Sequence, residues 1–221
     1  MLSFKKYITA LLCITLSLSA LVACNKTKAE NEQSDSTESA VILIGENSFY
    51  STIDLSEYVS LCQYTGLTLD ISDTDGSRKD MENAIKKHVF EQSEIKAYPD
   101  EPLEYYFEQE KNFYMYLANG DEQQYNALLT EAGVTEEDFS DIAKKYVTED
   151  LVFYALTASE GISVSDTEKA ELLDKYVNEY VKTYGYTEEY VTSNMIDLIY
   201  ESMLYDKTIE FLIENNNFVT T

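Results

Sequence analysis

From Asp80 onward the chain is a succession of segments with apolar residues at three- and four-residue steps. Each has a start signal, a stop signal (a glycine or proline for all but the last) and a short connection, so a sheet has little room to form there. Residues 80–94 place Met81, Ala84, Ile85, His88 and Val89 on one helix face. Pro99 and Pro102, the two prolines of the chain, interrupt the pattern. Residues 103–117 resume it through Tyr106, Phe107, Phe113, Tyr114 and Leu117, and Gly120 stops it. A short helix over 122–132 ends at Gly133. Thr135 then caps a long one to Gly161, with Glu136, Glu137 and Asp138 complementing the N-terminal dipole. Ser165 and Glu168 form a capping box for a helix striped by Leu173, Tyr176, Val177, Tyr180, Val181 and Tyr184. Thr187 opens the last helix, which the pattern carries without interruption to about Glu214. Its apolar residues cover well over one face, which predicts burial on more than one side. The expected fold class is all-α, an extended helical-hairpin domain with at most one or two short N-terminal strands: Val41-Ile42-Leu43-Ile44 and residues 67–71.

The first forty residues carry a different signal. Lys5 and Lys6 precede an apolar run over residues 7–18 that is too short to span a bilayer, and small residues lead to a cysteine. Leu21-Val22-Ala23-Cys24 resembles a bacterial lipobox, which implies cleavage between Ala23 and Cys24 and acylation (palmitate or a similar lipid) of the Cys24 thiol. Residues 25–39 are polar and lack aromatics, the composition of a flexible tether spanning roughly 20 Å. The expected organisation is therefore a signal peptide (1–23), a lipidated cysteine with tether (24–40), a short strand and helix segment (41–97), and a helical domain (98–221). The folded part would sit at the cell membrane, lipid-anchored on its extracytoplasmic face.

Charge and cysteine usage narrow the partners. Sixteen basic residues against forty-one acidic ones give a net charge of −25, and loss of the two signal lysines takes it to about −27. Such a surface repels nucleic acid and anionic headgroups, leaving membrane attachment to the acyl chains. Cys13 leaves with the signal and Cys24 carries lipid, so Cys62 has no disulfide partner and reads as a small buried hydrophobe.

Several segments are similar to the C-terminal domain of trigger factor: Gly133-Val134-Thr135-Glu136-Glu137-Asp138-Phe139, Glu160-Gly161-Ile162-Ser163-Val164-Ser165, and the closing run from Tyr205 to Asn215. The short run from Tyr58 to Leu67 resembles the lead into that family's isomerase domain, with Cys62 where a small residue such as glycine is usual. The resemblance covers roughly residues 98–218 and implies a helical chaperone body whose arms cradle unfolded chains. No Gly-Phe-Arg-x-Gly-Lys ribosome-docking motif is present. Fewer than thirty residues separate Leu69 from Tyr98, too few for an FKBP-type isomerase insert.

Other motifs have simpler explanations. Asp73, Asp75, Gly76 and Glu82 fall in EF-hand register, but Ile71 would occupy the first ligand position, and turn chemistry accounts for the rest. His88, the single histidine, lies in a helical stripe, and Glu136-Glu137 and Glu188-Glu189 sit at helix starts. The nineteen tyrosines, in a chain without tryptophan, are the unusual excess. Tyrosine combines a large apolar area with a polar tip, which suits adaptable binding surfaces. Stripe members such as Tyr176 and Tyr180 are expected to pack inside, whereas Tyr105, Tyr116 and Tyr190 lie off the stripes and are the candidate client contacts. The expected function is a membrane-anchored holding chaperone for unfolded or newly secreted polypeptides, without cofactor or enzymatic step. The same residues leave two alternatives: a divergent prolyl isomerase of the same lineage, and a scaffold lipoprotein with one dedicated partner.

Overall fold

The computed structural model describes residues 49–220; the Ala23-Cys24 motif and the Val41-Ile42-Leu43-Ile44 run lie outside the described residues. Two 3-10 turns (Phe49–Ser51 and Leu55–Glu57) lead into β1 (Val59–Ser60), β2 (Thr68–Asp70), α1 (Arg78–Gln92) and β3 (Glu94–Ile95). There follow α2 (Asp100–Leu117), α3 (Glu122–Ala132), α4 (Glu136–Glu160), α5 (Asp166–Tyr184), α6 (Glu188–Asn194), α7 (Ile196–Glu214) and β4 (Asn217–Val219). The fold is mainly all-α. The described chain divides into two compact units, Asp100–Val147 and the discontinuous pair 49–99 with 148–220, so both boundaries fall at or within the stretch read as one helical domain.

In the unit Asp100–Val147, α2 begins three residues earlier than its apolar stripe. Pro102 lies in the first turn, where a missing N–H leaves no bond unmade, and Asp100 and Glu101 favour the positive end of the helix. Asp121 caps α3 through the Gln124 amide, and Gly133 ends it with left-handed φ of 65°. Thr135 and Asp138 exchange side-chain and backbone hydrogen bonds (2.7 and 3.3 Å), the box that starts α4. Ala118, Tyr125, Leu129 and Phe139 form the buried centre of this unit, with Phe107 and Tyr114 packed against it.

In the other unit, Ser77 and Asp80 form the capping box of α1, and Ser165 and Glu168 that of α5. Ile85 and Val89 of α1, Val152 and Leu156 of α4, and Ile199, Ile209 and Leu212 of α7 are buried. Helix α7 packs on both α1 and α5. Lys207 of α7 holds the start of α5, donating to Ser163 O (2.7 Å) and to Glu168 Oε1 (2.6 Å).

The expectation of a single helix from Thr187 to Glu214 is corrected: Met195, with φ −129° and ψ 13°, separates α6 from α7. Just before it, Thr192 and Asn194 turn their side chains back to the Glu188 and Tyr190 carbonyls. Such local bonds compete with the backbone ladder and bend helices. Met195 itself is buried at the bend.

The strands are short and pair across long sequence gaps. β1 and β3 are antiparallel, Val59 opposite Ile95, while β2 runs parallel to β4 with Leu69 opposite Phe218. Asn216 secures the second pair: its Oδ1 accepts from Leu67 N (2.8 Å), and its Nδ2 donates to Tyr64 O (2.8 Å) and Leu212 O (2.7 Å).

Candidate functional site

The α5–α6 junction gathers four tyrosine rings into a row. Tyr180 and Tyr184 are one helical turn apart on α5, and their centroids are separated by 5.4 Å. Gly185 then turns the chain in the left-handed region, and Thr187 caps α6 through the Tyr190 amide. This tight turn returns Tyr186 to within 6.1 Å of Tyr184, and Tyr190 lies 5.2 Å beyond. The inner end is anchored: Tyr180 is buried, with its hydroxyl 2.9 Å from Ser202 Oγ, and Tyr176 one turn earlier donates to Asp206 at 2.6 Å. Burial raises the hydroxyl pKa of Tyr180 to about 12 and raises that of Tyr176 as well, there with the Asp206 carboxylate adding to it. Tyr184, Tyr186 and Tyr190 at the outer end are half-buried. Glu179, Lys182, Glu188 and Glu189, close to them along the chain, are exposed, three acids to one base.

Of the three tyrosines the sequence put forward, Tyr190 belongs to this row. Tyr105 and Tyr116 lie on α2 in the other unit. Eleven residues apart, they share a side of that helix about 16 Å apart along its axis. Tyr105 is half-buried with its ring against Tyr106 (5.3 Å), whereas Tyr116 is 56% exposed beside the 48% exposed Leu117. Sequence reasoning assigned Tyr184 to a buried stripe and gave Tyr186 no separate role. The available signal was the pair of i,i+4 spacings, 180–184 and 186–190, flanking a glycine.

A second concentration of polar groups is internal. Tyr50, from the first 3-10 turn, stacks on Tyr154 of α4 (centroids 5.0 Å, planes 16° apart), and the Tyr154 hydroxyl donates to Glu201 Oε1 of α7 at 2.9 Å. Glu201 is 9% exposed. Burial, with the neighbouring Asp150 charge, pushes its carboxyl up to about 8, against the partial relief of the Tyr154 hydrogen bond. The Tyr50 hydroxyl is driven upward mainly by burial and then by Asp150. Nearby, Tyr205 donates to Glu82 (2.8 Å) under the Lys86 ammonium, which lies 5.1 Å from the ring centroid. Burial lowers the Lys86 pKa despite Glu82 and Glu149, and raises that of Tyr205. These groups join α1, α4 and α7 with the Phe49–Ser51 turn. The cavity beside them, lined by Val89, Val152, Leu156, Ile209 and Leu212 among others, has apolar walls and room for about one water.

The remaining candidates occupy structural positions. Cys62 is half-buried, its thiol directed at Gln63 O (3.3 Å), and His88 Nε2 lies 3.1 Å from the same carbonyl. Asp75 accepts from Ser77 N in the turn before α1, and Glu82 is engaged by Tyr205. Among the described residues no group of three or more potential metal ligands converges. Glu136-Glu137 and Glu188-Glu189 occupy the first turns of α4 and α6. No described helix is long and apolar enough to cross a membrane. No family model, no curated protein and no solved structure matches this chain.

Proposed function

We propose that the protein is a membrane-anchored, extracytoplasmic chaperone that holds unfolded or newly secreted polypeptides without ATP. The observation that carries the reading is the row of half-buried tyrosines at the α5–α6 junction, a continuous aromatic platform whose inner end is fixed to α7 by hydrogen bonds. Aromatic rings with a polar tip bind many sequences because they supply apolar area, of order 25 cal/mol per Å² buried, with little rotamer entropy to lose. The exposed Tyr116 and Leu117 on α2 offer a further apolar contact in the other unit. Resemblance of the helical segments to the trigger factor C-terminal domain supports the same reading. The lipobox-like Leu21-Val22-Ala23-Cys24 supports attachment through lipid on Cys24. The acidic surface would keep client complexes apart by mutual repulsion.

The test is light scattering of a chemically denatured, aggregation-prone client diluted into buffer with the full-length protein in detergent. Dose-dependent suppression near equimolar ratio is expected. Scattering no lower than with an unrelated acidic protein would overturn the reading.

A further inference from the structure

We propose that the Phe49–Ser51 turn is a proton-held latch: it stays docked while the Glu201 carboxyl beneath it is neutral, and lets go when that carboxyl and Asp150 are both charged. The turn is the first element of the described chain and is fixed to the body through one buried residue. Tyr50 is 2% exposed and lies nearly flat on Tyr154, with centroids 5.0 Å apart and planes at 16°. The Tyr154 hydroxyl in turn donates to Glu201 Oε1 at 2.9 Å. Tyr50 therefore closes the place where two carboxyls meet, Asp150 of α4 and Glu201 of α7, and both act on its hydroxyl.

What faces Glu201 is a carboxylate and hydroxyls. Asp150 and Tyr154 come from α4, Tyr180 from α5 and Tyr50 from the turn. Lys86 of α1 sits one helical turn along α7, over the Tyr205 ring and 3.8 Å from Glu82, with Glu149 also acting on it. Asp206 of α7 accepts from Tyr176 of α5. A second negative charge beside Asp150 in this buried place needs water. Helices α4 and α7 cannot yield to admit it: they run 25 and 19 residues and bury Leu151, Val152, Ile199 and Met203, close to these acids along the chain. The turn is three residues long, is closed by Thr52 bonds to Phe49 O (3.0 and 2.7 Å), and leaves Ser51 and Thr52 exposed. It is the part that moves, and its departure brings solvent to both carboxyls. Glu201 titrates at about 8 with the turn docked, and near the ordinary 4.5 once water reaches it. Opening therefore grows about tenfold per pH unit between those values and levels off above them. The next tie along the chain is Asp54, which caps the following turn through the Ser56 amide (3.0 Å). Release frees residues 49–53, about 17 Å of extended chain. On the anchoring reading that length is added to the tether; the latch itself does not depend on that reading.

The experiment is hydroxyl-radical footprinting of the full-length protein in detergent at pH 6, 7, 8 and 9, with oxidation at each tyrosine read by mass spectrometry. Oxidation of Tyr50 is expected to rise at least tenfold from pH 6 to pH 9, and that of Tyr154 with it, while the buried Tyr176 of the same unit holds steady. Glu201→Gln should keep Tyr50 protected at every pH. Asp150→Asn, which removes the repelling charge, should cut the rise several-fold. A Tyr50 signal that stays level from pH 6 to 9 would overturn the inference. So would Tyr50 and Tyr176 rising together, which is unfolding of the unit rather than release of the turn. A rise in Glu201→Gln equal to that of wild type would place the trigger on another group and overturn it as well.

Discussion

Glu201 makes the fold sensitive to pH in a direction set by where it is buried. Its carboxyl is held at about 8 in the folded chain, against an ordinary value of 4.5. Above pH 4.5 the unfolded chain releases this proton and the folded chain keeps it. The contribution of Glu201 to stability is therefore complete below about pH 4.5 and is lost as pH rises through about 8. One pKa unit is worth 1.36 kcal/mol, so the loss is on the order of 5 kcal/mol across that window. Glu201→Gln removes the titration and keeps an oxygen to accept the Tyr154 hydroxyl, which donates at 2.9 Å. The assay is urea unfolding followed by far-UV circular dichroism at pH 5, 6, 7, 8 and 9, for wild type and variant. Repulsion among forty-one acidic residues also weakens the fold as pH rises, so the quantity to read is the difference between the two proteins. The variant should match wild type at pH 5 and gain progressively, reaching on the order of 5 kcal/mol at pH 9. Glu214→Gln, an exposed site on the same helix, controls for the lost charge. A Glu201→Gln difference that stays within 1 kcal/mol from pH 5 to 9, or declines, would refute the burial argument.

Three further outcomes are expected. Asn216→Ala removes two hydrogen bonds to the segment before β2 and a third to Leu212 O at the end of α7, and should cost about 2–3 kcal/mol by urea unfolding; a change under about 0.5 kcal/mol would show the clasp to be dispensable. Phe139→Ala empties the centre of the Asp100–Val147 unit, where Phe139 is fully buried against Phe107 and Tyr114, and should destabilise that unit by about 3–5 kcal/mol in a calorimetric scan. Lys207→Met should move the Glu168 titration, now held down at about 2 by Lys207 first and by Ser165, up towards the ordinary glutamate range; NMR titration of the side-chain carboxyl would show it, and an unmoved midpoint would contradict the assignment.

The helices were legible because their signals are local. The box at Ser165 and Glu168, the cap at Thr135 and the left-handed glycines each act within four residues, and α3 falls where its flanking Asp121 and Gly133 put it. The bend at Met195 was hidden because its cause is not the bent residue but the preceding Thr192 and Asn194, polar side chains that also suit an exposed helix face. The strands were mostly hidden for the opposite reason. Asn217–Val219 finds its partner at Thr68–Asp70, and no window along the sequence contains both. The same limit applies to the site: Tyr190 stood out as off-stripe and Tyr186 stands four residues before it, but Tyr184 meets Tyr186 only through the turn at Gly185. Glu201, one of five acids in its helix, carried no visible sign that it is the buried one, or that Tyr50, some 150 residues earlier, would meet the same cluster.

The parallel pairing of Thr68–Asp70 with Asn217–Val219 sets the order in which the molecule can be completed. One unit is assembled from both ends of the described chain, and the other, Asp100–Val147, is a continuous stretch between them. A chain emerging N-terminus first can finish the continuous stretch while its tail is still inside. The discontinuous unit stays open until residue 219 has been delivered, with Ile85 and Val89 waiting for their α7 partners. If the protein is exported as proposed, it spends its own transit as an unfinished chain, subject to the aggregation it is proposed to prevent in others.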